Sequence, residues 1–131
     1  MASIFTRIIN GELPCYKIAE SQDYFAFLDI APVERGHTLV IPKKEVDYVF
    51  DLDDETYMGL HLFAKRVAHA IEAVVPCERV GMTVLGLEVP HAHVHLVPLV
   101  NSTFINFAKD KLNLEPEQMA TLASKISAAF V

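Results

Sequence analysis

Residues 91–97 read HAHVHLV, and this alternation constrains the fold more than any other stretch of the chain. On an extended strand, side chains at i, i+2 and i+4 point to one face. His91, His93 and His95 therefore share a face, while Ala92, Val94 and Leu96 share the other. The pattern predicts a strand with one side packed on an apolar core and one side given to imidazoles. Three of the chain's six histidines fall within five positions, which argues for a joint chemical role.

Such a strand needs a core to pack on. Over 131 residues the chain is 52% hydrophobic, enough for one domain, residues 1–131, without disulfide or metal staples. Its two cysteines, Cys15 and Cys77, form no CxxC pair, so neither a zinc ribbon nor a redox pair is expected. Residues 4–9 (IFTRII) are a short apolar segment ending at the turn pair Asn10-Gly11. Residues 15–19 and 23–29 read as a hairpin, and 37–41 as a further β-branched strand. Residues 79–85 and 91–97 add two more. Between the strands at 37–41 and 79–85, Leu60, Phe63, Ala64, Val67, Ile71 and Val74 recur at helical spacing, with Asp53 or Asp54 as cap and Pro76 as stop. A second helix is predicted over 115–129, with Pro116 in its first turn. The expected fold class is α+β: a largely antiparallel sheet of about five strands, one long helix and a C-terminal helix.

Charge and hydropathy narrow the function classes. A net charge of −6 argues against a nucleic-acid partner, which needs a basic footprint. No stretch approaches the ~20 apolar residues of a membrane span, and the N-terminus has no signal-peptide pattern. A soluble, cytoplasmic protein is expected. Two chemistries suit a strand face of imidazoles. One is an open metal site, as in a metal-dependent hydrolase built on His91, His93 and His95. The other is nucleophilic and acid–base work on a phosphate, for which neutral imidazole is well suited near pH 7. His37 opens the strand GHTLVIP and could line the same cavity. His61 and His69, among charged neighbours of the long helix, read as surface residues.

The run His91-Ala92-His93-Val94-His95-Leu96-Val97 resembles the defining motif of the histidine triad (HIT) family. "IFTRIINGELP" and "FAFLDIAPVERGHTLVIPKK" resemble that family's opening and second blocks, so the likeness covers roughly residues 4–100. It implies a HIT-like fold, a homodimer, and hydrolysis or transfer of nucleoside monophosphates, with a purine nucleotide resembling AMP as substrate. By position, it implies His93 as nucleophile, forming a covalent nucleotidyl-histidine. His95 would contact the phosphate, the His91 carbonyl would orient the His93 ring, and His37 would stand beside the site. Asp29 would bind the ribose hydroxyls, and Phe5, Ile8, Phe27 and Ile30 would wall the base. No cofactor is implied, and no metal is required for the attack.

The resemblance breaks just before the triad. Family members commonly carry an Asn and a Gly-Gln or Gly-x-Ser element there, whereas residues 77–91 hold no Asn, Gln or Ser. Gly86 can still bring a backbone N–H close to phosphate. Leu87 and Glu88 stand where polar donors are expected, and Glu88 would either repel phosphate or serve the leaving group as an acid. The departure favours, as an alternative, a nucleotide-binding regulatory protein with vestigial activity.

Overall fold

The computed structural model describes residues 2–101 and 103–131. Its elements are α1 (Ile4–Ile9), β1 (Lys17–Glu20), β2 (Tyr24–Leu28), β3 (Thr38–Pro42), α2 (Asp54–Val74), β4 (Arg79–Thr83), β5 (Val94–Leu99) and α3 (Pro116–Ala129). The strands form one five-stranded sheet in the order β1-β2-β3-β5-β4, every neighbouring pair antiparallel. The α+β expectation holds. The chain passes through α2 between β3 and β4, and β5 pairs with β3 on one side and with β4 on the other.

The helices begin where local chemistry satisfies their first N–H groups. Asp53 caps α2 by accepting from the Thr56 amide, and Asp54 and Glu55 follow in the first turn, where the helix dipole favours acid. The Thr56 hydroxyl and amide hold the Asp53 carboxyl down at about 2. Glu115 and Gln118 cap α3 reciprocally, with Pro116 in the first turn. The apolar segment at 4–9 is the short helix α1, whose capping Ser3 accepts from the Thr6 amide.

Each face of the sheet has its own cover. Ile18, Ala26, Leu28, Val40, Val94 and Leu96 pack beneath α2 (Leu60, Phe63, Val67, Ile71) and α3 (Met119, Leu122, Ile126). On the opposite face, Phe25, Phe27, Leu39 and Ile41 meet Phe5 of α1. Ala92, Val94 and Leu96 thus enter the helix-side core, as the alternation requires.

The strand itself is shorter than predicted. The ladder of β5 begins at Val94, paired with Val40, so His91 and His93 precede it. The reason lies in the backbone donors. The His91 amide is spent on the Val89 carbonyl and the Ala92 amide on the Val46 carbonyl, which leaves neither for a neighbouring strand. Likewise β1 starts at Lys17, where its register with β2 shifts, and β4 stops at Thr83.

Candidate active site

Each imidazole in the site has a proton position fixed by its partner. His93 Nδ1 lies 2.8 Å from the His91 carbonyl oxygen, which can only accept. Nδ1 therefore carries the hydrogen, and the neutral ring keeps its lone pair on Nε2. His37 Nδ1 accepts from the Val33 amide at 3.1 Å, so its Nε2 carries hydrogen and donates to His95 Nδ1 at 3.0 Å. That fixes His95 as the opposite tautomer to His93, with its remaining hydrogen on Nε2. Neighbouring rings thus offer one lone pair and one N–H.

Burial keeps most of these rings neutral. Desolvation, reinforced by the neighbouring His93 and His37, depresses His95 to about 3. Desolvation also lowers His37, against the opposing pull of Asp29, whose Oδ2 is 3.6 Å away. His91 is lowered by the same cause.

Two cavities meet at these rings. The larger, about 490 Å³, is walled by Phe5, Ile8, Phe27, Ile30 and Leu39. Its volume falls in the range that encloses small-molecule ligands. The smaller, about 200 Å³, is bordered by His37, Leu85, Gly86, Leu87, Phe107 and Lys111. Asp29, Glu88, His93 and His95 border both. Asp29 is partly fixed: its Oδ1 accepts from the Ala31 amide at 2.8 Å. Gly86 adopts φ +74°, a left-handed conformation that suits glycine, and no atom would crowd a Cβ there.

The structure separates His91 from its companions. Its ring is fully buried and borders neither cavity. His91 Nε2 donates to the Pro42 carbonyl at 2.8 Å, so Nδ1 accepts from the Ser3 hydroxyl, also at 2.8 Å. The ring clamps α1 to the end of β3, and only its backbone carbonyl reaches His93. The expectation of three rings sharing one working surface is therefore corrected to two, joined by His37 from β3's leading edge. A metal site built on His91, His93 and His95 is corrected with it, because His91 spends both ring nitrogens elsewhere. Among the described residues, Asp29, His37 and His95 are the group whose ligand atoms all lie within 4.8 Å of one another. His61 is half-buried on α2 and donates to the Tyr57 carbonyl, and His69 is exposed.

Sequence reasoning missed Phe107 and Lys111. They lie between β5 and α3, in a run with neither helical nor strand periodicity, and no local pattern announces their return to the site. Cys15 borders the larger cavity, with its thiol pushed up by burial and hence protonated.

Fold and site together define a class: an antiparallel α+β domain that presents tautomerically fixed imidazoles where two cavities meet. Comparison with known proteins gives the class its name. The HIT domain family model matches residues 10–101, and the chain belongs to the histidine triad family. It is 36% identical over 132 residues to an uncharacterized HIT-like protein of Borreliella burgdorferi, covering 95% of each chain. It is 34% identical to the adenosine 5'-monophosphoramidase hnt1 of Schizosaccharomyces pombe, covering 97% of each. Among solved structures, a Hit-like protein from Bartonella henselae superposes with a TM-score of 0.85 at 29% identity, covering 98% of this chain and 96% of that one.

Proposed function

We propose that this protein is a nucleotide hydrolase or transferase acting on nucleoside monophosphates joined to a leaving group through the α-phosphate. The observation that carries the reading is the hydrogen bond from His93 Nδ1 to the His91 carbonyl, which leaves a nucleophilic lone pair on Nε2 where the cavities meet. Relatives named adenosine 5'-monophosphoramidase, at 34% and 37% identity, support the substrate class.

In this reading the base enters the larger cavity between Phe5, Ile8, Phe27 and Ile30. Asp29 accepts the ribose hydroxyls; a carboxylate has lone pairs for two donors beyond the Ala31 amide it already serves. His93 Nε2 attacks phosphorus, a P–N bond forms, and the bond to the leaving group breaks with its electron pair. His95 Nε2–H and the Gly86 amide face the phosphate oxygens, and the leaving group takes a proton from solvent water as it departs. Water then cleaves the P–N bond, releasing the nucleoside monophosphate and restoring imidazole. His91 contributes by position, through its carbonyl to His93 and through its ring to α1. The protein acts as a homodimer.

Replacing the nucleophile tests the scheme. His93→Ala is expected to abolish hydrolysis of adenosine 5'-phosphoramidate while AMP affinity stays within about tenfold, because binding and chemistry rest on different groups. Unchanged turnover in that variant would sink the mechanism. Turnover that a chelator removes and zinc restores would favour metal-dependent hydrolysis instead.

A further inference from the structure

The groups bordering the two cavities leave the charge of the site unbalanced. Asp29 and Glu88 border both, and the rings of His37 and His95 are neutral. The loop before the triad presents Leu85, Gly86, Leu87 and Glu88, so it supplies no neutral side-chain donor. An anionic substrate would meet two carboxylates there. Among the described residues that border either cavity, the one cation is Lys111.

Lys111 reaches the site on a segment that returns over it after β5 and is tied down at several points. The Leu112 amide donates to the Pro32 carbonyl at 2.8 Å, and Lys109 pairs with the Glu34 carboxylate. Phe107 sets its ring against His95, centroids 4.7 Å apart, and against His37 at 5.8 Å. Lys111 Nζ donates to the Phe107 carbonyl at 2.6 Å, which closes the turn carrying both residues. This ammonium stands near enough to His37 to oppose its protonation.

We propose that Phe107 and Lys111 form a leaving-group subsite that selects leaving groups bearing negative charge close to the scissile phosphorus. The inference rests on the nucleotide reading above and extends it. With the nucleoside in the larger cavity and the α-phosphate beside His93, whatever lies beyond phosphorus enters the smaller cavity. Phe107 is the wall of that space and Lys111 its counter-charge. The ammonium also offsets Glu88, which would otherwise repel such a group. A small neutral leaving group gains nothing from either residue. Opposite charges in a partly water-excluded cleft attract more strongly than in bulk water, so the preference is measurable.

ADP and AMP separate the two phosphate positions, since only ADP places a second phosphate in the smaller cavity. Calorimetric titrations of wild type, Lys111→Met and Lys111→Arg with each nucleotide are the test. Lys111 is exposed, and methionine keeps the length of its stem, so the fold should be undisturbed. Wild type is expected to bind ADP more tightly than AMP. Lys111→Met should lose at least tenfold in ADP affinity with AMP held within threefold, and Lys111→Arg should recover most of the loss. Equal losses for both nucleotides, or no loss for either, overturn the subsite while leaving the nucleotide reading intact. A wild type that binds neither nucleotide overturns both.

Discussion

At the scale of single residues, the candidate site denies each imidazole a choice of tautomer. A neutral histidine in water interconverts between tautomers. Here a carbonyl opposite His93 Nδ1 and an amide opposite His37 Nδ1 select one form each, and the His37–His95 hydrogen bond passes the selection on. This arrangement has a cost in acid. The folded state holds His95 at about 3, while an unfolded chain would titrate it near its ordinary value of 6.5. Between those values the unfolded state binds more protons, so stability is lost as pH falls below the unfolded value and continues to fall towards the folded one. The depressed His37 and His91 act in the same direction. Each such group contributes a slope of at most ~1.4 kcal/mol per pH unit. Urea denaturation between about pH 6 and pH 4 should show stability falling steeply, and His95→Gln should flatten the slope by about one such increment. A slope unchanged by that substitution would contradict the buried-neutral assignment.

At the scale of elements, the short helix α1 depends on its surroundings. At 6 residues it is too brief to persist alone. Glu45 accepts from the Ser3 amide at 2.7 Å and from the Thr6 hydroxyl at 2.5 Å, while His91 takes the Ser3 hydroxyl. The Ser3 and Thr6 hydrogen bonds hold the Glu45 carboxyl below its usual range. The same contacts that start the helix therefore hold Phe5, whose ring meets His93 at 5.0 Å. The long helix shows the opposite case, where packing overrules propensity. Gly59 lies within α2, where alanine would be favoured by about 1 kcal/mol. A Cβ there would sit 1.9 Å from the Tyr24 hydroxyl and 2.6 Å from its ring carbon. That hydroxyl donates to the Thr56 carbonyl, and the ring stacks on Phe63, so it has little freedom to retreat. Gly59→Ala is accordingly expected to destabilise by about 1–3 kcal/mol, the usual range for overpacking. Chemical denaturation checks this, and a more stable variant would show that Tyr24 yields.

At the scale of the whole molecule, one sheet separates two functions. Its helix side supplies stability, and its α1 side supplies the cavities. The helix side is incompletely covered at one end. Met82 of the edge strand β4 pairs with Leu96, whose side chain lies in the core, so both point the same way. Leu96 is 1% exposed and Met82 53%. Met58 and Leu62, one turn apart on α2, are 58% and 64% exposed. Among the described residues β4 ends the sheet, and an edge strand beside apolar side chains favours association with a second copy. Light scattering at micromolar concentration should therefore report a mass twice that of the 14.6 kDa chain, and Met82→Lys should shift it towards monomer. A wild-type monomer under those conditions would contradict the homodimer.

Periodicity carried most of the architecture. The alternation at 91–97 sends Ala92, Val94 and Leu96 into the core because side chains on extended backbone must alternate, whatever surrounds them. The helical stripe at 60–74 specified α2 for an equally local reason. Asp29, Phe5, Phe27 and Gly86 were legible by resemblance to the family's blocks, and all four border a cavity. Three matters were left to tertiary structure. The start of β5 depended on where the His91 and Ala92 amides found acceptors, at Val89 and at the distant Val46. The separation of His91 from the cavities depended on Ser3 and Pro42, 88 and 49 residues away in sequence. Phe107 and Lys111 came to the site through an irregular segment fixed by Pro32 and Glu34. Local sequence determines which way a side chain points along a regular element. It cannot determine which remote donor or acceptor claims a hydrogen-bonding group, because that competition is settled only when the whole chain has packed.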